Sequence, residues 1–107
     1  MNRIKAKGTK VMIFEPTLET GSVVPVHRHQ KTSETVVVLS GCVVEEYYDE
    51  GGAVEAEFEL AAGGPVCALN IPAGRWHTLR ALDPGTVILE MKDGAYEPIS
   101  PADILSM

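Results

Sequence analysis

The chain has 107 residues, 45% of them hydrophobic and 22% charged, with a formal net charge of −6 at pH 7. That length and balance suit one folded domain over residues 1–107 with a real core, and they exclude a disordered polyelectrolyte. The 9 Lys and Arg residues are scattered apart from a short N-terminal group, so no positive face for nucleic acid is expected, and no apolar run approaches the roughly 20 residues of a membrane-spanning helix.

Gly and Pro recur between short segments that alternate apolar and polar residues, the signature of antiparallel strands. Residues 1–8 carry no strand signal and are expected to be mobile. Strands are predicted over 11–14, 22–29 and 34–39, with Glu15-Pro16 closing the first and Ser40-Gly41 the third. Residues 42–49 and 53–60 form a hairpin across Asp49-Glu50-Gly51-Gly52, whose glycines accept positive φ. In the second arm Val54, Ala56, Phe58 and Leu60 share one face and Glu55, Glu57 and Glu59 the other, so one face is buried and one is wet. Gly63-Gly64-Pro65, Pro72-Ala73-Gly74 and Asp83-Pro84-Gly85 then separate strands at 66–71, 76–82 and 86–92. Ser100 is placed to cap a short helix over 101–105, with Pro101 in its first turn. Eight or so short strands with no amphipathic helix between them predict an all-β fold, a double-sheet jelly roll or barrel.

His27 and His29 are two apart on a predicted strand, so both imidazoles leave the same face. Glu34 would face the other way on a straight strand, so the chain has to bend, and the polar segment Gln30-Lys31-Thr32-Ser33 can make the bend. His77 follows the Pro72-Ala73-Gly74 turn and would bring a fourth ligand from a distant strand. Three imidazoles and one carboxylate suit one divalent transition metal, and Fe, Mn, Ni, Zn, Co and Cu fit equally on these grounds. Such a set is compatible with octahedral geometry and two positions for water, O₂ or a substrate oxygen. A single histidine, by contrast, is most often satisfied by ordinary hydrogen bonds.

Gly21, His27, His29, Glu34 and Gly41 stand at the spacing of the first cupin motif, an arrangement expected by chance on the order of once in 10⁴ chains of this size. Pro72, Gly74 and His77 match the core of the second motif, whereas Val66 and Ala81 stand where that motif has its leading Gly and trailing Asn. The chain therefore resembles the cupin superfamily. Residues 26–98, with HRHQKTSET, VVLSG, YYDEGG, IPAGRWHTLRALDPG and GAYEP, are similar to the small WbuC-type cupin metalloproteins. The resemblance implies a double-stranded β-helix and a bound metal. It also implies an association with bacterial surface-polysaccharide gene clusters, so a sugar-related ligand is an expectation from resemblance alone. Small cupins often pair, and a homodimer is expected on that ground.

Other residues divide by parity. Gly21 and Gly41 are assigned structural roles. Tyr47, Phe58, Trp76 and Met91 are read as core or barrel wall, with Tyr47 the first to test as a pocket wall. Arg28 and Arg80 fall opposite the ligand face, while Arg75 shares the parity of His77. Glu45 and Glu90 interrupt apolar strands; they are read first as outward, solvated carboxylates, and second as groups orienting a ligand histidine or acting as acid and base. Cys42 and Cys67 form no CxxC pair and are expected to be reduced and mostly buried. The N-terminal residues lack an apolar leader, so a cytoplasmic location is expected. Two functions stay open. One is a metal-dependent oxygenase, or isomerase or epimerase, acting on a small polar or carbonyl-containing molecule. The other is a non-catalytic module in which the metal stabilises the barrel or holds a sugar or small acid.

Overall fold

In a computed structural model, which describes residues 2–5, 11–18, 24–92, 94 and 99–105, the chain is built almost wholly of strands in two antiparallel sheets. The strands are β1 (Asn2–Lys5), β2 (Val11–Leu18), β3 (Glu34–Ser40), β4 (Cys42–Tyr48), β5 (Val54–Ala61), β6 (Ala68–Ile71), β7 (Trp76–Ala81) and β8 (Thr86–Lys92). The larger sheet has the order β1-β2-β8-β3-β6 and the smaller the order β5-β4-β7. The all-β, double-sheet architecture expected from the alternation is the one observed.

Glu15-Pro16, expected to close the first strand, lies inside β2, where the pairing with β8 shifts register between Phe14 and Leu18, whereas later reversals fall at the expected glycines. Gly41, at φ +84°, turns β3 into β4 of the other sheet, and a Cβ there would lie 3.0 Å from the Cα of Thr86. Only glycine meets both conditions without strain. In the β4–β5 hairpin the backbone N–H groups of Gly52 and Ala53 donate to the carbonyl and the side chain of Asp49.

Register arranges the strand residues in rows. In the smaller sheet Tyr47 lies opposite His77 and Ala56, Glu45 opposite Leu79 and Phe58, and Val43 opposite Ala81 and Leu60. In the larger sheet Glu34 lies opposite Ile71 and Lys92, Val36 opposite Leu69 and Glu90, and Val38 opposite Ile88. The buried core joins Val36, Val38 and Ile88 of one sheet to Val43, Leu60 and Leu79 of the other. Each fully buried aliphatic side chain contributes roughly 1.5–3 kcal/mol. Glu34 and His77 are themselves buried at the margin of this core, 3% exposed each.

Four further local expectations are corrected. Residues 2–5, expected to be mobile, form β1 and pair with β2 from Asn2↔Glu15 to Lys5↔Met12; residues 1 and 6–8 lie outside the described residues. The strand expected over 22–29 is reduced to isolated bridges at His27, because its hydrogen-bonding partners are supplied piecemeal by β7 and by the C-terminal segment. Residues 22 and 23 of that strand, and Gly21 of the motif, lie outside the described residues. The helix expected over 101–105 shrinks to the 3-10 turn Pro101–Asp103, with Ile104 extended at φ −116° and ψ 124°. Ile104 bridges His27 and the Leu105 N–H donates to the Val26 carbonyl, so tertiary pairing overrides local helix signals. Cys67, expected to be buried, is exposed just ahead of β6, and Cys42 is half-buried; both are free thiols.

Candidate metal centre

The His27 N–H donates to the His77 carbonyl at 2.9 Å and the His77 N–H returns to the His27 carbonyl at 2.8 Å. This reciprocal pair fixes the two residues directly opposite one another, with ring centroids 4.4 Å apart. On the other edge of the same segment, the Arg28 N–H donates to the Asp103 carbonyl and the Leu105 N–H to that of Val26. The short stretch carrying two histidines is thus held from both sides, although it forms no regular strand.

Alternation returns His29 to the side of His27, with ring centroids 5.3 Å apart. The His29 carbonyl accepts from the Gly74 N–H at 2.8 Å, which ties it to the turn preceding His77. The chain then bends through residues 30–33, as the parity argument requires, and Glu34 opens β3 with 3% of its surface exposed. Its Oε2 lies 3.5 Å from Nε2 of His29 and 3.5 Å from Nε2 of His77. The structure therefore sets Glu34 against His29 and His77, and His27 directly opposite His77. The ligand atoms of His27, His29 and His77 lie within 4.8 Å of one another, a group able to hold a metal ion.

Hydrogen bonding sets which ring nitrogens face inward. Nδ1 of His27 lies 2.8 Å from the Pro25 carbonyl, and Nδ1 of His77 lies 2.8 Å from the Arg75 carbonyl. A carbonyl only accepts, so each Nδ1 carries the ring proton in the neutral imidazole and Nε2 is left with a free lone pair. Burial lowers the pKa of His27, with the charge of His77 adding to the effect. Burial, followed by the Lys92 charge, lowers that of His29 to about 4. Burial alone would raise the Glu34 carboxyl, but His77, Glu90 and Lys92 outweigh it and hold the group down at about 2. A carboxylate thus stands beside ring nitrogens, and its buried Oε2 has no hydrogen-bond partner among the described residues.

Two further carboxyls belong to this environment, and the first reading of them as outward and solvated is corrected. Glu45 is 0% exposed, and burial together with the charges of Glu34, Glu90 and Glu46 pushes its carboxyl up to about 9. Glu90 is pushed well above the carboxylate range by burial and by the Glu34 charge, and it shares a hydrogen bond with Glu34. Each is in phase with inward residues of its strand, Val43 for Glu45 and Ile88 for Glu90. That parity was the available sequence signal, set against the usual cost of burying an acid.

Arg28 stacks on the Trp76 ring at 4.4 Å and bonds through Nε to Asp103 at 3.0 Å. Arg75 pairs with Glu55 at 2.7 Å and covers the Tyr47 ring at 4.7 Å. Arg80 is exposed and lies 3.7 Å from Glu46. Tyr47 packs edge-on against Phe58 with centroids 5.0 Å apart, which makes both of them wall residues.

A family model described as Domain of unknown function (DUF6016) matches residues 5–60. No curated protein matches the chain. Among solved structures, the Bacillus halodurans protein BH2720 is similar with a TM-score of 0.69 and 16% identity, over 83% of this chain and 64% of that one. A 3,4-ketoisomerase from Helicobacter canadensis gives a TM-score of 0.66 and 14% identity, over 92% of this chain and 66% of that one. A variant of the Bacillus subtilis oxalate decarboxylase OxdC gives 0.63 and 21%, over 84% of this chain and 23% of that one. The chain spans less than two thirds of BH2720 and less than a quarter of the decarboxylase. Likenesses at these identities show the fold, which is the cupin jelly roll; the finer WbuC-type similarity rests on the sequence motifs alone. No helix among the described residues is long and apolar enough to cross a membrane.

Proposed function

We propose that this chain, which belongs to the family described as Domain of unknown function (DUF6016), is a metal-binding cupin that handles a small polar or carbonyl-containing molecule at a centre formed by His27, His29, Glu34 and His77. One observation carries the reading. Nε2 of His27 and of His77, left free to accept, and the buried Oε2 of Glu34 converge, with Oε2 3.5 Å from Nε2 of His77. Acceptors gathered in this way repel one another and forfeit hydration, a cost that a cation would offset.

The residues present fit a divalent transition metal. Imidazole nitrogens suit such an ion, with Nε2 available on His27 and His77, and Glu34 supplies the negative charge. The backbone carbonyls of Pro25 and Arg75 orient two of the rings, and Glu90 fixes Glu34 through its hydrogen bond. A metal ion held there would supply Lewis acidity. Glu34 and His77 are 3% exposed, whereas His27 and His29 reach the surface, so a small molecule would approach from the histidine side. A ketoisomerase and an oxalate decarboxylase among the similar folds support a small oxygen-bearing substrate, and isomerisation fits this centre as well as oxygenation does.

Metal analysis of protein purified without oxygen tests the centre. One equivalent of a divalent transition metal is expected in the native protein and a small fraction of that in His29→Ala. Stoichiometric metal in the variant would overturn the ligand set. Turnover by native protein and none by His77→Ala would establish an enzyme, whereas binding of small molecules without turnover would identify a non-catalytic module.

A further inference from the structure

Of the three inward carboxyls, two are accounted for. Glu34 stands against two histidines and shares a hydrogen bond with Glu90, which is thereby satisfied in turn. Glu45 is the exception. It is 0% exposed, and both of its carboxyl oxygens are buried with no hydrogen-bond partner among the described residues. An unpartnered buried carboxyl is costly in either protonation state, and replacement by an apolar side chain would remove the cost. A group of this kind in the middle of a regular strand calls for a ligand that completes it.

Position says where that ligand lies. On β4, Glu45 is two residues from Tyr47, which stands directly opposite His77, so one strand repeat separates the acid from the histidine row. That repeat is about 7 Å, a gap that the Glu side chain and a molecule of a few atoms can close together. On the neighbouring strands Glu45 faces Leu79 and Phe58, neither of which offers a polar atom. The charges of Glu34 and Glu90 both act on it, which places it on the interior they share. A second cation among these acids is disfavoured, because among the described residues the three histidines are the one group with ligand atoms close enough to share an ion.

We propose that Glu45 is a ligand-binding residue that donates a hydrogen bond from its carboxyl to the far oxygen of a small carboxylate or enolate ligand, whose near oxygen lies at the histidine centre. The burial that pushes the Glu45 carboxyl up to about 9 keeps its proton in place at neutral pH, as a donor requires. An ionised acid could only repel such a ligand. The specificity that follows is for oxyanions with two separated oxygens over simple monodentate anions. This inference rests on the metal reading above.

The test uses full-length protein loaded with Co²⁺, whose visible bands report ligand exchange, and titrates it with malonate, which carries oxygens at both ends, and with azide, which has no oxygen. In Glu45→Leu, malonate affinity is expected to fall about 10-fold or more, as loss of a charge-assisted hydrogen bond implies. Azide affinity is expected to stay within 2-fold of native, roughly the limit of a change without specific contact. Glu45→Gln keeps an N–H donor and is expected to recover most of the malonate affinity. Glu45→Leu is also expected to melt no lower than native, since a merely structural acid would lower the melting temperature when removed. Equal malonate affinity in native and Glu45→Leu protein, with normal cobalt bands in both, would overturn this proposal and leave the metal centre standing. Absence of cobalt bands from the native protein would overturn the metal centre and this proposal together.

Discussion

At Glu45, burial and charge act on one titration, and their effect on stability has a definite sign. Its carboxyl titrates at about 9 in the folded protein against an ordinary value of 4.5. Between those limits the native state holds a proton that the unfolded chain has released. The resulting stabilisation is complete below pH 4.5 and is lost as pH rises through about 9. Glu34 of β3, Glu90 of β8 and Glu46 of β4 itself all add negative charge against ionisation, so no neighbour reverses the sign. Urea titrations of metal-free protein at several pH values are expected to show native stability falling across this window. Glu45→Gln should remove part of the fall, gaining on native by an amount on the order of a few kcal/mol at the alkaline end and by little near pH 5. Parallel stability curves for the two proteins would show that Glu45 does not titrate as its surroundings require.

The element with the least regular structure carries half of the candidate ligands. The segment around His27 and His29 borrows its hydrogen bonds from β7 on one side and from residues 103–105 on the other. Side chains reinforce the second contact. Asp103 accepts from Arg28 at 3.0 Å and from Gln30 at 2.5 Å, the residues that flank His27 and His29 in the chain. Asp103→Ala should therefore leave the barrel folded but loosen the histidine arm, weakening metal affinity by about 10-fold, the lower end for partners outside the ligand set. Arg80→Ala, which breaks only the surface contact with Glu46 at 3.7 Å, is the control and should leave metal affinity unchanged. Competition with a chromophoric chelator measures both, and equal affinities for Asp103→Ala and native protein would remove the C-terminal segment from the centre. This segment also marks the boundary of what local sequence conveys. The convergence of His27, His29 and Glu34 was legible, because two-residue parity followed by an odd interval demands a bend and 30–33 is polar enough to provide one. The absence of a true strand there was not legible, since the bonds that replace it come from residues about fifty and seventy-five positions away. Glu45 and Glu90 were misread for a related reason: their inward phase was visible, but the rows that surround them arise only when the sheets pair.

For the whole molecule, the four candidate ligands do not belong to one sheet. Glu34 stands on β3 of the larger sheet and His77 on β7 of the smaller, and the His27–His29 segment is bonded to β7 and to the C-terminal turn. An ion held by all four would link two sheets that otherwise meet through the apolar core, and a group that binds only the native state stabilises it by mass action. At a free ion concentration a hundredfold above Kd that contribution is about 2.7 kcal/mol, roughly 10 °C in melting temperature for a domain of this size. Stripping the metal with a chelator should therefore lower the melting temperature of native protein by that order, and restoring the ion should reverse the change. His29→Ala should melt near the stripped value whether or not chelator is present. Calorimetric scans of the two proteins, each with and without chelator, separate a bridging ion from an adventitious one: an ion bound at the surface of one sheet would leave the native transition where it stands, and the two sheets would owe their association to the core of Val36, Val43, Leu60 and Ile88 alone.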